Sequence, residues 1–287
     1  MAPRKVAELT QGGISVAICN AEGDDYLDGY SHRPVEFTNG SQMHGQECFI
    51  PATQGQGFSI RISYNKDDPE GSMIDGAGLQ AEVLLEGAAW IVDVHWPATK
   101  LEEGSCEFEI TSFPVKLGIC SFRFGQRVVT DEPVECKEIE PWWLGTVCVR
   151  VYWAAQNEAQ ETPDRVEEQD VERQLLQEDS ARILNEPLDE RDKDIQHELC
   201  IEYAPDKAQA APKSQEPGAE PEYDVTKVGT EEYHFVFRYR RIEWLVAEEI
   251  APRSRLPARQ DRELLTPSSS LIKREEPSSE PPKRKTS

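Results

Sequence analysis

The stretch Phe58-Ser59-Ile60-Arg61-Ile62-Ser63-Tyr64 decides the fold class, because apolar and polar side chains alternate along it. Successive side chains of a β-strand point to opposite faces of the sheet, so a period of two is typical of a strand with one buried face. The segment Ile14 to Ile18 has the same period, and in Cys106 to Ile110 the apolar residues alternate with Glu107 and Glu109. All three segments predict half-buried strands.

Five further segments have the length and composition of strands, and residues that favour turns separate them. They are Glu47 to Pro51, Leu79 to Leu85, Trp90 to Trp96, Val115 to Phe124 and Thr146 to Trp153. Short strands separated by turns, with almost no helical periodicity, favour an all-β fold over alternating strands and helices. We therefore predict an antiparallel, jelly-roll-like β-sandwich.

The composition argues against several classes of protein. Among 287 residues, 54 Asp and Glu outnumber 31 Lys and Arg, and the net charge of -23 argues against direct binding of nucleic acid through a broad basic surface. No segment approaches the run of about 18 apolar residues that spans a membrane, and the first residues lack the apolar core of a secretory signal. The seven cysteines include no C-x-x-C pair. We expect them to be reduced in a protein that is neither secreted nor bound to a membrane.

Charge and proline content divide the chain into six parts. Residues 155–224 carry a net charge of -14 and residues 251–287 a net charge of +4. We predict a sandwich core at 8–154, an acidic, partly helical or mobile insertion at 155–194, a returning strand at 195–204, a disordered linker at 205–224, a closing strand and helix at 225–252, and a disordered basic tail at 253–287.

The closing part of the sandwich is rich in aromatic residues. Aromatic side chains alternate with other residues from Tyr233 to Tyr239, which predicts a strand. The run Arg241 to Ile250 has apolar residues at helical spacing and Pro252 follows it, which predicts a short helix. Because large aromatic side chains gain most when they are buried, we expect this part to pack back onto the sandwich and complete its core.

The same part resembles the closing motif, F-x-F-x-Y-R-S-x-E-W-L-x-x-x-G-I-x-P, of a fungal family of β-rich domains of unknown function. The matching residues are Phe235, Phe237, Tyr239, Arg240, Glu243, Trp244, Leu245, Ile250 and Pro252. Arg241 replaces the small residue of the motif, and Glu249 replaces its Gly. A Gly there would end the helix in the left-handed conformation, which Glu adopts only at a cost. The resemblance implies a β-rich fungal domain with charged or disordered extensions, and it implies no activity.

Two glycine motifs have the residue types that cradle a phosphate. Gly76-Ala77-Gly78-Leu79-Gln80-Ala81 fits the G-x-G-x-x-A pattern of dinucleotide sites, but that chemistry needs a strand before the glycines and a helix after them. Here a loop precedes and a strand follows, so we interpret the motif as a turn. Gly55-Gln56-Gly57 is interpreted as a turn between strands for the same reason.

Two acidic clusters, Asp24-Asp25 with Asp28 and Asp67-Asp68 with Glu70, have ligands that suit Ca²⁺ or paired carboxylates that suit glycoside hydrolysis. Both also lie where turns favour Asp, and we interpret them as solvated turns. His95 and His234 are interpreted as strand residues. Trp142-Trp143 is either an exposed platform for a sugar or a loop anchored in the core, and we favour the anchored loop. The sequence predicts no catalytic residue, no cofactor and no metal.

The tail carries three candidate regulatory signals. Lys283, Arg284 and Lys285 follow two prolines and resemble a short nuclear import signal that an import receptor binds. Ile272-Lys273-Arg274-Glu275 resembles the acceptor site for a small ubiquitin-like modifier, and Thr266-Pro267 is a candidate proline-directed phosphorylation site. The signals predict a regulated nuclear protein, with the cytoplasm as the other candidate compartment.

Three function hypotheses are compatible with the sequence. The leading one is a non-enzymatic protein-interaction module regulated through its tail. The second is an acidic chaperone for basic nuclear proteins such as histones, motivated by the net charge of -14 at 155–224. The third is a carbohydrate-binding or hydrolytic sandwich that uses Trp142, Trp143 and nearby acids. The salt dependence of binding distinguishes the first two hypotheses, because ionic screening weakens charge-driven binding more than it weakens a packed interface.

Overall fold

The computed structural model describes residues 6–23, 25–35, 43–68, 73–86, 88–102, 104, 106–115, 118–126, 129–130, 143–157, 188–189, 199–205 and 224–256. Within these ranges the chain forms mainly β-strands, with two short α-helices and a 3₁₀ turn. The strands are β1 Glu8–Gln11, β2 Ile14–Asn20, β3 Tyr30–Val35, β4 Met43–Pro51, β5 Phe58–Tyr64, β6 Gly78–Leu85, β7 Ala88–Trp96, β8 Cys106–Ile110, β9 Ser112–Val115, β10 Gly118–Gln126, β11 Val129–Thr130, β12 Thr146–Asn157, β13 Leu188–Asp189, β14 Leu199–Pro205, β15 Asp224–Lys227 and β16 Glu232–Arg240. The helices are α1 Ala98–Glu102 and α2 Ile242–Ala247, and the 3₁₀ turn is Arg253–Arg255.

Two sheets pack face to face. The small sheet has the strand order β1-β2-β5-β8, and the large sheet has the order β3-β4-β16-β12-β6-β7, with β15 paired to the end of β12. The alternating residues of the sequence meet in the space between the sheets, where Ile60 and Ile62 of the small sheet share one core with Val149 and Phe235 of the large sheet. The predicted all-β sandwich is confirmed.

A third sheet, β14-β10-β9, closes one end of the sandwich. The Gly55 amide donates to the Phe124 carbonyl at 2.7 Å, and the Phe124 amide donates to the Gln56 carbonyl at 2.9 Å, so the β4–β5 turn is bonded to β10. Phe58 stacks on Phe122 and on Phe124, with ring centroids 5.3 and 4.5 Å apart. The returning strand predicted near 195–204 is present as β14.

The closing strand β16 lies inside the large sheet, between β4 and β12. It pairs antiparallel with β12 and parallel with β4. The described pairing is antiparallel as predicted, except at the pair of β16 with β4 and between the two-residue strands β11 and β13. The strands β4 and β12 are far apart in sequence, and β16, the last of the described strands, lies between them. Its alternate residues Phe235, Phe237 and Tyr239 are fully buried in the core.

Other boundaries differ from the sequence prediction. The single strand expected at Val115 to Phe124 is a hairpin of β9 and β10, with Val115 opposite Gly118. Pro114 lies on β9, the outer strand of this hairpin. Proline lacks an amide hydrogen and is tolerated on an outer strand, because one side of that strand has no neighbouring strand to accept a hydrogen bond. The sequence analysis also did not predict β3, α1 or β15. The acidic insertion, the linker and the tail lie mostly outside the described residues and stay predictions.

The helix α2 forms a second, smaller core on the far side of the large sheet. Leu245 and Val246 pack with Phe49 of β4 and with Ala251 and Leu256 after the helix. After the helix, Glu249 lies in the left-handed region at φ 58. The amides of the two following residues both donate to the Leu245 carbonyl, at 2.8 and 2.9 Å. Glu249 therefore takes a left-handed conformation that glycine adopts more readily than other residues.

Candidate interaction surface

The strand β8 forms one edge of the small sheet. Among the described strands it pairs only with β5, with Arg61 opposite Glu109 and Ser63 opposite Glu107. An edge strand has backbone N–H and C=O groups on its outer side that can pair with another chain. We call Cys106–Ile110 the β8 edge.

The β8 edge carries an exposed aromatic side chain. Phe108 is 38% exposed, and it is the only large hydrophobic side chain that is exposed among the residues the structure describes. Its ring meets Trp96 of β7 edge-on, with centroids 6.0 Å apart. Phe108 therefore lies where the outer strands of the two sheets approach one another, and one side of its ring remains open to solvent.

The opposite face of the β8 edge is acidic. Glu107 and Glu109 point away from the core, and the Glu107 side chain is 60% exposed. Arg61 of β5 lies between them, with Nε 3.2 Å from Glu107 Oε1 and Nη2 3.8 Å from Glu109 Oε2. Ser59 Oγ donates to Glu109 Oε1 at 2.6 Å. One cation thus faces two carboxylates.

The Arg61 guanidinium is fixed in this position by a neighbour. It lies over the Tyr26 ring, with Cζ 5.5 Å from the centroid, and a hydrogen bond to Tyr26 raises the pKa of Arg61 above its usual value. The Arg61 side chain is only 16% exposed, so it presents little charge to an incoming partner. The acidic character of the β8 edge therefore comes from Glu107 and Glu109.

Two other sheet edges, β3 and β1, have features that oppose pairing. The outer strand β3 contains Pro34, shifts register between Tyr30 and Arg33, and holds Ser31 at φ 52. Pro and bulges are two devices by which natural sheets block their edges. At the far side of the small sheet, β1 has only four residues, and Gln46 Nε2 donates to its Thr10 carbonyl at 2.9 Å. The β8 edge has neither device.

The outer face of the large sheet carries ion pairs whose partners lie on different strands. Buried Glu47 accepts hydrogen bonds from Nε of Arg33 and, at 2.7 Å, from Nε of Arg238. Glu82 accepts from Arg150 Nε at 2.6 Å and from Tyr152 Oη at 2.7 Å. Both glutamates are largely removed from water and are held by charged donors, so these groups link neighbouring strands of the sheet.

Glu232, His234 and Lys227 form a third group on this face. Burial acts to raise the pKa of Glu232, but hydrogen bonds from Lys227 and His234 outweigh it and hold the pKa below its usual value. Burial lowers the pKa of His234, and the nearby Glu232 opposes that shift only in part. His234 Nε2 lies 3.3 Å from Glu232 Oε2. His234 is thus a strand residue with a partner, as interpreted from the sequence.

The closing-motif residues divide between the core, the helix and a buried polar cluster. Phe235, Phe237 and Tyr239 lie in the main core, and Leu245 lies in the core under α2, with Ile250 and Trp244 packed against it. Arg240 places Cζ 5.6 Å from the Trp244 ring centroid and donates through Nη1 to the Gly145 carbonyl at 2.9 Å. Glu243 lies in the first turn of α2, and Pro252 precedes the 3₁₀ turn. The motif residues therefore bind the closing segment to the sandwich.

The acidic clusters lie in turns and on the surface. Asp28 accepts from Tyr30 Oη at 3.4 Å and pairs with Arg255 Nη1 at 3.2 Å, and Asp25 is exposed. Asp67 lies in a turn, where its backbone amide donates a hydrogen bond to Asn65 Oδ1. Asp24 and Glu70 lie outside the described residues. No group of three or more His, Cys, Asp or Glu within the described ranges is arranged to hold a metal ion.

The glycine motifs form turns, as interpreted. Gly55 and Gly76 have φ of 82 and 73, a conformation that suits glycine in a tight turn. Residues 79–81 of the second motif belong to the strand β6, so no helix N-terminus follows the glycines. The arrangement that dinucleotide binding requires is absent from this part of the described structure.

His95 and Trp143 are both half-buried but differ in their hydrogen bonds. His95 lies on β7, half-buried, with neither ring nitrogen hydrogen-bonded, and burial lowers its pKa. Trp143 is half-buried, and its carbonyl accepts a hydrogen bond from Thr146 Oγ1. Trp142 lies outside the described residues, so the anchored loop stays a prediction.

The side chains of Cys19, Cys48, Cys106 and Cys148 are free thiols. Burial raises the pKa of Cys48 and of Cys148 to about 12 each. Burial also raises the pKa of Cys19, although the Arg61 guanidinium opposes the shift. These three thiols are protonated at neutral pH and are poor nucleophiles there.

The candidate tail signals at Thr266, Lys273 and Lys283–Lys285 lie outside the described residues and stay predictions. Sequence reasoning correctly placed Cys106–Ile110 in a strand, but it did not identify the strand as an edge. The period of two shows which side chains share a face, and it carries no information on whether a second neighbouring strand exists. The only local signal was the pair of glutamates around an aromatic residue.

No protein-family model, curated protein or solved structure matches this chain. The resemblance of the closing motif to a fungal family therefore stays a prediction. No helix in the described part of the chain is long and apolar enough to cross a membrane.

Proposed function

We propose that this chain is a non-enzymatic protein-interaction module of a nuclear protein, and that it binds another polypeptide at the β8 edge by strand addition. In strand addition, an extended segment pairs with the outer side of an edge strand, and the backbone bonds supply affinity while alternate side chains supply specificity. The β8 edge has the two properties this mode requires, an outer side without a described partner strand and an apolar side chain open to solvent.

The observation that carries the proposal is the exposure of Phe108 on an edge strand that contains no proline and pairs with its neighbour without a register shift. A protein that does not use such an edge tends to protect it with Lys, Pro or a bulge, because an open edge invites aggregation. Here β3 has a proline and a register shift, and β8 has neither. An additional strand would cover the open side of the Phe108 ring and extend the small sheet.

The nuclear part of the proposal rests on the tail. Lys283, Arg284 and Lys285 would bind an import receptor, and modification of Lys273 or Thr266 would regulate location or choice of partner. Fusion of residues 253–287 to a fluorescent reporter tests this part. Nuclear accumulation that is lost with the triple change to Ala supports it, and accumulation that persists after that change contradicts it.

The acidic-chaperone hypothesis remains a second candidate because residues 155–224 carry a net charge of -14. Binding through this segment would disappear when salt rises from about 0.1 M to about 0.5 M, since the Debye length falls to a few ångströms. It would also weaken when residues 158–187, which carry a net charge of -7, are deleted. Binding at the β8 edge would survive the deletion.

The test of the main proposal uses the tagged full chain, the variant Phe108→Lys and the control Thr10→Lys. The control adds the same charge to β1, the outermost strand on the other side of the same sheet. Partners are captured from nuclear extract, identified, and mixed with each variant in purified form. We expect Phe108→Lys alone to lose the partner, and we expect hydrogen exchange of the amides at 106–110 to slow in the complex.

A partner retained by Phe108→Lys, or unchanged exchange at 106–110, contradicts the proposal. Thermal melting of each variant checks that the sandwich is intact. If Phe108→Lys melts early, Phe108→Ser serves in its place, because it removes the apolar ring without adding a charge to the edge.

A further inference from the structure

We infer that the segment recognised at the β8 edge is an extended strand with a basic residue on either side of an apolar one, that is, a [Lys/Arg]-apolar-[Lys/Arg] pattern. This inference rests on the proposed function of the edge and adds the chemistry of the partner. It follows from which side chains of β8 face outward, which face the core, and how their charges are balanced.

The acidic face sets the positions of the two basic residues. Glu107 and Glu109 are two residues apart, so both point to the same side of the small sheet. Residues directly opposite one another on paired strands place their Cβ atoms about 5 Å apart, within reach of a Lys or Arg side chain. The residues that face Glu107 and Glu109 in an added strand are therefore also two apart, and they lie on that same side.

The acidic face has an excess of negative charge, which favours a cation in the partner. Arg61 is the neighbour that pairs with both carboxylates, at 3.2 and 3.8 Å, and it is largely buried. Its single charge leaves one negative charge at the pair of glutamates, before any contribution from the chain's net charge of -23. A partner strand with acids at these positions would place like charges opposite one another, which destabilises the pairing.

The residue between the two basic ones faces the rim of the core. Phe108 points to that side, with its ring against Trp96 and 38% of its surface open. An apolar side chain opposite Phe108 would remove this surface from water, and aromatic and β-branched pairs are favourable across strands. A polar residue at that position would lose its hydration without gaining a partner.

The experiment measures binding of three labelled seven-residue peptides to the full chain by fluorescence anisotropy. The first is Thr-Lys-Val-Lys-Val-Lys-Thr. The second has the same composition with its lysines adjacent, Thr-Val-Lys-Lys-Lys-Val-Thr, and the third has Gln for every Lys of the first. We expect the first peptide to bind about fivefold more tightly than the Gln peptide, because the Gln peptide lacks two cross-strand charge pairs of about 0.5 kcal/mol each. We also expect it to bind more tightly than the second peptide, in which a Lys instead of an apolar residue would lie opposite Phe108.

Two matched double variants locate the effect. Glu107→Gln with Glu109→Gln removes the acidic face, and Glu22→Gln with Glu248→Gln removes two exposed charges elsewhere. We expect the first pair to weaken binding of the alternating peptide by about fivefold and the second pair to leave it unchanged. We also expect slower hydrogen exchange at 106–110 with the alternating peptide.

The outcomes separate the inference from the function on which it rests. If the Gln peptide binds as tightly as the Lys peptide and still protects 106–110, the edge binds a strand but the inferred chemistry is wrong. Equal loss in both double variants, or equal binding of the peptide with adjacent lysines, shows general attraction to an acidic chain and also overturns the inference. If no peptide protects 106–110 and Phe108→Lys retains the natural partner, both the inference and the proposed function fail.

Discussion

Tyr239 donates a hydrogen bond through its hydroxyl group to the carboxyl group of Glu86, which is completely buried between β6 and β7. The same carboxyl oxygen accepts from the Gly145 amide at 3.3 Å. Arg240, the next residue of the closing strand, donates through Nη1 to the carbonyls of Gly145 and Tyr239 at 2.9 and 2.6 Å. The end of β6, the start of β12 and the end of β16 are thereby joined in one polar cluster.

Replacement of Tyr239 by Phe is expected to destabilise the fold. The change leaves the ring in the core and removes one donor from a buried carboxyl group, which costs about 1–3 kcal/mol. Urea unfolding followed by circular dichroism measures the loss. The matched control is Tyr152→Phe, because Glu82 is less buried and keeps its bond from Arg150. Equal losses in the two variants would show that the Glu86 cluster has no special role.

Replacement of Glu249 by Gly is expected to stabilise the protein by about 1 kcal/mol. Glu249 is held at φ 58, where a residue with a Cβ atom is strained and Gly is not. The matched control is Glu248→Gly, since Glu248 has a φ of -83 and gains nothing from the change. We expect that control to be neutral or destabilising by up to about 1 kcal/mol, because Gly loses more entropy on folding. Thermal melting compares the two, and a lower melting temperature for Glu249→Gly contradicts the assignment of strain.

Truncation before Tyr233 is expected to abolish the native fold. The deletion removes β16 from between β4 and β12 and takes Phe235, Phe237 and Tyr239 out of the core, and each such loss costs several kcal/mol. The control truncation ends after Leu256, the last described residue. We expect circular dichroism and thermal melting of the control to match the full chain. A cooperative melt of the shorter truncation at the temperature of the full chain would show that β16 is not needed for closure.

The stability is expected to fall as the pH drops below 6.5, partly through His95. Burial lowers the pKa of His95 below its usual value of 6.5, so the unfolded chain binds a proton at a pH where the folded chain does not. The stability that this difference provides is complete above pH 6.5 and is lost as the pH falls toward the lowered pKa. Urea unfolding at about pH 7.5 and at about pH 5.5 measures the fall in the free energy of unfolding between these pH values. We expect this fall to be smaller in His95→Gln than in the wild type. His234 stays in both proteins and cancels in the comparison. An equal loss would exclude His95 as a contributor.

Much of the fold could be predicted from the sequence, because local patterns report which side chains must be buried together. The alternation at Phe58 to Tyr64 and at Tyr233 to Tyr239 identified core strands, and the spacing after Arg241 identified α2. The parallel pairing of β16 with β4 could not be predicted, since alternation is the same in parallel and antiparallel strands.

The candidate site was decided by tertiary structure. The sequence determined that Cys106–Ile110 is a strand with Glu107 and Glu109 on one face, because side-chain direction depends only on the local backbone. Only the packing of the two sheets decided that β8 lies at an edge, that Phe108 remains partly exposed beside Trp96, and that Arg61 is shared between both glutamates. Strand order and the exposure that follows from it depend on contacts between residues distant in sequence, and no local pattern encodes them.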